Sequence, residues 1–128
     1  MTGEFLKNWV QALLTRSWVP MRFVAASYAL GDGVKKNELR ARKWYARAAK
    51  AGDLSSDFDL AMMLLYGEGG PLELERGKAV LEEAANKGEP QAQKVLAYAY
   101  EEPLFGYPVD HQRAKYWKKL AEAQGMNV

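Results

Sequence analysis

The sequence contains no cysteine and a single histidine, His111. Without cysteine the chain has no disulfide scaffold, zinc–thiolate site or cysteine nucleophile, and one histidine excludes a multi-histidine metal site. No apolar run approaches the roughly 20 residues that a membrane helix requires. Segment 1–14 is amphipathic, which is not typical of a secretory leader. We expect a soluble chain, cytoplasmic as it stands and periplasmic or secreted if a leader precedes it.

An excess of charge of one sign is also absent. Eighteen basic residues stand against sixteen acidic ones, so the formal net charge is only +2. That small excess demands no nucleic-acid partner. The chain has 128 residues and is 48% hydrophobic, which suits one folded domain and excludes intrinsic disorder.

The chain repeats itself every 36 residues. Gly31 and Gly67 are 36 positions apart, and so are Gly52 and Gly88. A third copy follows with one extra residue, because Gly125 lies 73 positions after Gly52. A fixed period of this length indicates a solenoid of stacked supersecondary units.

Each unit predicts two helices. The second helix of the first unit carries an apolar stripe at helical spacing, formed by Ala41, Trp44, Tyr45, Ala48 and Ala49. Each first helix carries an apolar triplet, and the three triplets lie within 24–28, 60–64 and 96–100. Asn37 and Asp110 stand where N-caps are expected, and glycines follow the second helices as C-caps. No segment alternates at period two, so no sheet is predicted.

These patterns predict seven helices, at 3–15, 18–30, 38–51, 55–66, 74–87, 90–101 and 111–124. The first is interpreted as a half-unit in which Trp9, Leu13 and Leu14 take the places of the apolar stripe. The predicted fold is all-α: a right-handed α-solenoid of three helix pairs plus an N-terminal helix. It forms a single domain over 1–128, with repeats at about 17–52, 53–88 and 89–125.

The first unit resembles the Sel1-like repeat, a relative of the tetratricopeptide repeat. The resemblance lies in Tyr28-x-x-Gly31-x-Gly33-Val34 and Lys43-Trp44-Tyr45-x-x-Ala48-Ala49-x-x-Gly52, and it extends from about Ser17 onward. Unit two departs at Leu64, Gly77 and Val80-Leu81, and unit three replaces the glycine loop with segment 101–108. We expect an unusual turn there.

The resemblance implies a non-enzymatic adaptor that binds other proteins and needs no cofactor. Many members of the family are bacterial and serve in secretion, surface interaction or toxin immunity. The implied function is therefore a protein-binding module, with a bacterial immunity or secretion-associated role as the family-level hypothesis. The alternative is a surface or periplasmic structural antigen that engages host or envelope components.

The residues themselves offer no catalytic constellation. Gly31-Asp32-Gly33 and Gly67-Glu68-Gly69-Gly70 follow predicted helices, so they predict turns rather than phosphate loops. His111 begins a helix and is expected at the surface. Neither Glu82-Glu83 nor Glu101-Glu102 presents two carboxyl groups to one substrate, because adjacent helical residues point about 100° apart.

The most visible charge feature is a basic stripe on the second helix of unit one. It consists of Lys36, Arg40, Lys43, Arg47 and Lys50. A solvated outward face is the favoured interpretation. The alternatives are an acidic partner and nucleic acid, the latter disfavoured because no interleaved aromatic residues are present to stack bases.

Helix 55–66 is apolar on more than one side, which predicts either burial on both sides or a partner. Together with the corresponding positions of its neighbours it predicts a partner-binding groove on the concave face, formed by Arg22, Ala26, Leu30, Phe58, Met62, Leu65, Tyr66, Lys94, Tyr98 and Glu101. The groove suits a peptide or an extended loop of another protein. In the competing interpretation, Met62 and Leu65 pack against the next helix. The last repeat is a further candidate surface for homo-oligomer formation.

Overall fold

The structure, a computed structural model, describes all 128 residues. It contains seven α-helices and no strand, which confirms the all-α prediction. The helices are α1 (Gly3–Leu14), α2 (Trp18–Leu30), α3 (Glu38–Lys50), α4 (Leu54–Tyr66), α5 (Leu74–Asn86), α6 (Pro90–Glu101) and α7 (His111–Ala123). Every predicted helix boundary lies within one residue of the observed boundary.

The helix ends follow from local chemistry. Asn37 caps α3, because its Oδ1 accepts a hydrogen bond from the backbone N–H of Arg40 at 3.0 Å. Asp110 caps α7 in the same way. Gly31 and Gly67 end α2 and α4 at φ of 71°, a left-handed conformation that favours glycine. The glycine loops are therefore turns that end helices.

Each helix packs against its neighbours in the sequence, as in a solenoid. One core cluster joins α1, α2 and α3 with Met63 of α4, and includes Tyr28 and Trp44. A second cluster joins α4, α5, α6 and α7, and includes Tyr100 and Trp117. The predicted burial of Trp44 and of the triplets on the first helices is confirmed.

The N-terminal helix buries a different face from the predicted one. Three residues predicted in its apolar stripe are exposed: Trp9, Leu13 and Leu14, at 36%, 51% and 80%. Phe5 and Ala12 are buried instead, and they lie 36 residues before Ala41 and Ala48, the buried alanines of α3. The predicted stripe instead aligns Trp9 with Trp44, an offset of 35, and a shift of one residue rotates a helical side chain by about 100°. The prediction for the three exposed residues was wrong.

The turn of the third repeat is unusual, as expected. Tyr107 is buried there, and its hydroxyl donates a hydrogen bond of 2.7 Å to Oε1 of Glu82 on α5. Its ring packs edge-on against Tyr100, with 5.0 Å between the ring centroids. Phe105 adopts a positive φ of 54°. This loop is thereby fastened to the preceding repeat.

A buried arginine links the first repeat to the second. The guanidinium of Arg42 donates hydrogen bonds to the carbonyl oxygens of Glu68 (3.3 Å) and Pro71 (2.9 Å) and to Oε2 of Glu73 (2.7 Å). A Cβ at Gly70 would lie 2.6 Å from Nη1 of Arg42, so a larger residue there would displace the guanidinium from this position. The loop between α4 and α5 therefore wraps around one side chain of α3.

Candidate functional site

The surface formed by α2, α4 and α6 is called the first-helix face. It carries the predicted groove residues, and three of the large hydrophobic residues predicted for the groove are exposed. Tyr66 on α4 is 57% exposed, and Tyr98 on α6 and Leu30 on α2 are exposed as well. Phe58 and Met62 are half-buried and pack against the C-terminal core cluster. The centre of the face thus contributes both to the core and to the surface.

Leu65 does not belong to that surface. It is buried in the core and packs against Gly77 of α5, where an added Cβ would lie 2.8 Å from Cδ2 of Leu65. Gly77 occupies the position of Ala41 and Ala114 in the other repeats, and the leucine explains the glycine, since the small residue makes room for the large one. For Leu65 the competing interpretation, packing against the next helix, is correct.

Tyr66 has a neighbour that the sequence analysis missed. Phe105, in the loop between α6 and α7, packs edge-on against its ring, with 5.4 Å between the centroids. The two residues lie 39 positions apart, and no periodic pattern connects them. The loop of the third repeat therefore extends the aromatic surface at the end of α4.

The charged flanks of the face are partly engaged within the chain. Nη1 of Arg22 lies 3.7 Å from Oδ1 of the buried Asp53, and the guanidinium lies over the Trp18 ring. Oε1 of Glu101 lies 3.5 Å from Nδ1 of His111, and both side chains are exposed. Lys94 is half-buried, and Ala26 is half-buried as well.

A shallow recess of about 220 Å³ lies beside Met62, between the first two repeats. Tyr45 and Asp59 line it. Burial raises the pKa of Tyr45 to about 12, and the charge of Asp59 adds to that rise. Burial also raises the pKa of the Asp59 carboxyl, although the cation of Arg22 opposes the rise. The recess is therefore a half-desolvated polar environment within the first-helix face.

Two other carboxyl groups, the half-buried Asp57 and the buried Glu89, lie near the starts of α4 and α6. Burial is the main cause that raises the pKa of Asp57 and of Glu89. Glu89 caps α6 by accepting a hydrogen bond from the backbone N–H of Ala92. These carboxyl groups have structural partners or solvent contact, and none forms part of a group of three or more metal-ligating side chains.

Of the residues considered for catalysis, His111 and Glu101 are neighbours, with 3.5 Å between Nδ1 and Oε1, whereas Glu82 and Glu83 lie on α5. His111 is exposed at the start of α7, as predicted. Glu82 accepts the hydrogen bond from Tyr107, whereas Glu83 forms an ion pair of 2.8 Å with Lys87. The adjacent carboxylates therefore have separate partners.

The second helices α1, α3, α5 and α7 form the opposite surface, called the second-helix face. All five residues of the predicted basic stripe are exposed there: Lys36, Arg40, Lys43, Arg47 and Lys50. Lys36 forms an ion pair of 3.5 Å with Glu38, and the other four have no ion-pair partner in the chain. The cations thus face outward with little neutralisation.

A family model for the Sel1 repeat matches residues 21–53, 55–89 and 90–126. The fold is similar to that of a Sel1 repeat protein from Oxalobacter formigenes, at 27% sequence identity and a TM-score of 0.81, over 98% of this chain and 92% of that one. It is also similar to a protective antigen of uropathogenic Escherichia coli strains with an SLR fold, at 25% identity and a TM-score of 0.74. That match covers 84% of this chain and 23% of the antigen.

No curated protein matches the chain. None of the seven helices has both the length and the apolar composition of a membrane-spanning segment. Sel1 repeat proteins generally mediate protein–protein interactions, and their fold is typically a non-enzymatic scaffold. Three matched repeats cover most of the sequence. The chain therefore belongs to the Sel1 repeat family.

Proposed function

We propose that residues 1–128 act as one protein-binding domain without catalytic activity, and that the first-helix face captures a peptide or an extended loop of another protein. The observation that carries this proposal is the exposure of Tyr66 and Tyr98 on neighbouring first helices. Exposed tyrosines supply large contact areas with a polar tip, and they are enriched among the residues that dominate binding energy.

The surroundings of the two tyrosines support the proposal. Met62 and Phe58 offer half-buried apolar surface on the same helix as Tyr66, and methionine adapts to irregular partners. Lys94 and Glu101 place opposite charges on the α6 side of the face, which suits a polar rim around an apolar centre. A partner would cover the exposed rings while the charged rim sets its orientation. We propose protein rather than nucleic acid as the ligand, because the face carries charges of both signs.

The cellular role remains a hypothesis at the level of the family. An adaptor in bacterial immunity or secretion is the first hypothesis, and it comes from the resemblance. The alternative, a surface or periplasmic antigen, draws on the similarity to the Escherichia coli protective antigen, of which this chain covers 23%. Identification of the partner discriminates between them, because an immunity protein binds a toxin and an antigen of this type binds host or envelope components.

The test compares two exposed tyrosines in the same chain. Tyr66 and Tyr116 are both 57% exposed, and each makes one edge-on aromatic contact, with Phe105 and Trp117 respectively. Tyr66 lies on the first-helix face, whereas Tyr116 lies on the second-helix face. Immobilised wild-type protein, Tyr66→Asp and Tyr116→Asp are incubated with lysate of the source cell, and the retained proteins are quantified by mass spectrometry.

We expect one dominant protein whose capture falls by about tenfold or more with Tyr66→Asp, the effect of losing a central contact residue. The Tyr116→Asp variant should still capture that protein. Far-ultraviolet circular dichroism serves as the control for folding. Equal capture by all three proteins would reject the first-helix face as the binding surface. Tyr66 is a better probe than Phe58, because Phe58 also packs against the core.

A further inference from the structure

A second recess lies on the second-helix face, between α1 and α3, with a volume of about 420 Å³. Its α1 wall is apolar and exposed, and consists of Leu6, Trp9 and Leu13. This wall consists largely of the side chains that the one-residue register shift turns outward. The recess is called the α1–α3 groove, and it is separate from the surface that carries the proposed function.

The α3 wall of the groove is basic. Arg40, Lys43 and Arg47 line it, and none of them has an ion-pair partner in the chain. The guanidinium of Arg47 lies 4.6 Å from the centroid of the buried Trp44 ring, which holds the side chain at the groove. No acidic residue lines the recess. Three outward-facing cations therefore border an apolar surface and lack counter-charges.

The two walls have the same spacing. Positions 6, 9 and 13 on α1 and positions 40, 43 and 47 on α3 both advance by three and then four residues. Each stripe therefore covers about 10 Å along its helix. Repeat-related helices of a solenoid run in the same direction, so the apolar and basic stripes lie side by side.

We propose that the α1–α3 groove binds an acidic amphipathic helix of a partner protein. An apolar stripe on that helix covers Leu6, Trp9 and Leu13, and an acidic stripe beside it pairs with the cations of α3. A partner helix whose apolar and acidic residues also advance by three and then four positions contacts both stripes of the groove at once. A groove favours a helix over a membrane, because a flat lipid surface does not reach the floor of a recess.

The other grooves of the second-helix face show that this combination is local. Between α5 and α7 the lining includes Glu82 and Asn86, and Arg113 there lies 3.5 Å from the carboxylate of Asp110. Between α3 and α5 the lining includes Glu73, which pairs with both Arg42 and Arg76. Of these three grooves, the one at α1 alone combines an exposed apolar wall and cations with a lining that contains no acidic side chain.

The probe is a fluorescein-labelled synthetic helix of about 16 residues, a length at which an isolated helix begins to form. It carries a leucine stripe and an adjacent glutamate stripe at the spacing of the groove, and a second peptide has lysine in place of each glutamate. Binding to the full chain is measured by fluorescence anisotropy at low and moderate salt. The acidic peptide should bind, more weakly as salt rises, and the lysine peptide should not.

Two pairs of matched variants locate the binding. Lys43→Glu should weaken binding by about tenfold, whereas Lys50→Glu, the same change on the same helix outside the groove, should change it by less than about threefold. Leu13→Gln should weaken binding, and Leu14→Gln should not, because only Leu13 lines the groove. Tyr66→Asp should leave binding of the acidic peptide unchanged. A failure of the first-helix proposal can therefore be distinguished from a failure of this one, which does not depend on it.

Several outcomes would overturn the proposal. One is equal binding of the acidic and lysine peptides, or no binding by either. Another is an equal effect of Lys43→Glu and Lys50→Glu. Flotation with phosphatidylglycerol vesicles that depends on Lys43 and Leu13, in the absence of peptide binding, would assign the groove to a membrane surface. A dimer in sedimentation velocity that Leu13→Gln dissociates would assign it to a second copy of the chain.

Discussion

In the first and third repeats, a tryptophan of the second helix is buried near a tyrosine of the first helix, and an arginine lies over the tyrosine ring. Arg40 lies 5.7 Å from the centroid of Tyr28, and Arg113 lies 5.6 Å from that of Tyr100. The buried tryptophans are Trp44 and Trp117. The surfaces above these matching cores differ, because the position of Lys43 in the first repeat holds Tyr116 in the third.

This comparison separates two kinds of position. Positions that point inward stay apolar or small over the period, although Tyr28 and Trp44 correspond to Leu64 and Val80 in the second repeat, since each repeat must cover the next one. Positions that point outward change from repeat to repeat, and they decide which surface meets a partner. The differences between equivalent positions therefore indicate which surface of this chain carries a function.

The largest effect is expected at the buried tryptophans. Trp44→Ala should lower the free energy of unfolding by about 3–5 kcal/mol, because it leaves a large cavity in the N-terminal core. Trp117→Ala should cost less, about 2–3 kcal/mol, because α7 packs mainly on α6 whereas α3 packs on both α2 and α4. Urea unfolding followed by circular dichroism measures both. Equal losses would show that position in the solenoid does not affect the strength of the core.

The second prediction concerns the position of Arg42, which is equivalent to Lys78 and Lys115. Arg42→Ala should cost about 2–3 kcal/mol, because two loop carbonyls and the carboxylate of Glu73 lose their donor. Lys78→Ala should cost about 0.5–1 kcal/mol, since its ammonium lies 4.4 Å from the centroid of the Tyr107 ring. Lys115 is exposed, and Lys115→Ala should change stability by less than about 0.5 kcal/mol.

The same urea unfolding measurements apply to these three variants. A loss at Lys115→Ala as large as that at Arg42→Ala would mean that the position has one role in every repeat. A negligible loss at Arg42→Ala would mean that the loop between α4 and α5 holds its shape without the arginine.

The scaffold was predictable from the sequence because local patterns specify it. Gly31 and Asn37 mark helix ends by their own chemistry, and the stripe around Trp44 needs only helical spacing. Arg42 was not predictable, because its partners belong to a loop of the next repeat. The contact of Tyr66 with Phe105 likewise depends on how a non-periodic loop folds back. In the candidate site, the exposed tyrosines were predictable from the repeat pattern. The α1–α3 groove was not, because it depends on the register of α1 to within one residue, and sequence spacing does not fix that register.

The smallest expected effect concerns Asp59, which occupies the position of Phe23 and Val95 in the other repeats. Burial raises the pKa of its carboxyl above the usual value, against the opposing charge of Arg22. The folded state therefore holds the proton more tightly than the unfolded state does, and ionisation of Asp59 lowers stability as the pH rises from the unfolded pKa to the folded pKa. At neutral pH the penalty is fully present.

Asp59→Asn removes that penalty, because asparagine stays neutral at every pH. The variant should be more stable than the wild-type chain at neutral pH, and the difference should vanish at about pH 3.5, below the usual pKa of aspartate. Urea unfolding at the two pH values measures this, with the exposed Asp32→Asn as the matched substitution that should change stability at neither. A variant less stable at neutral pH would mean that the charge of Asp59 supports the fold through Arg22, and the recess beside Met62 would then be built around an ion pair rather than a half-desolvated carboxyl.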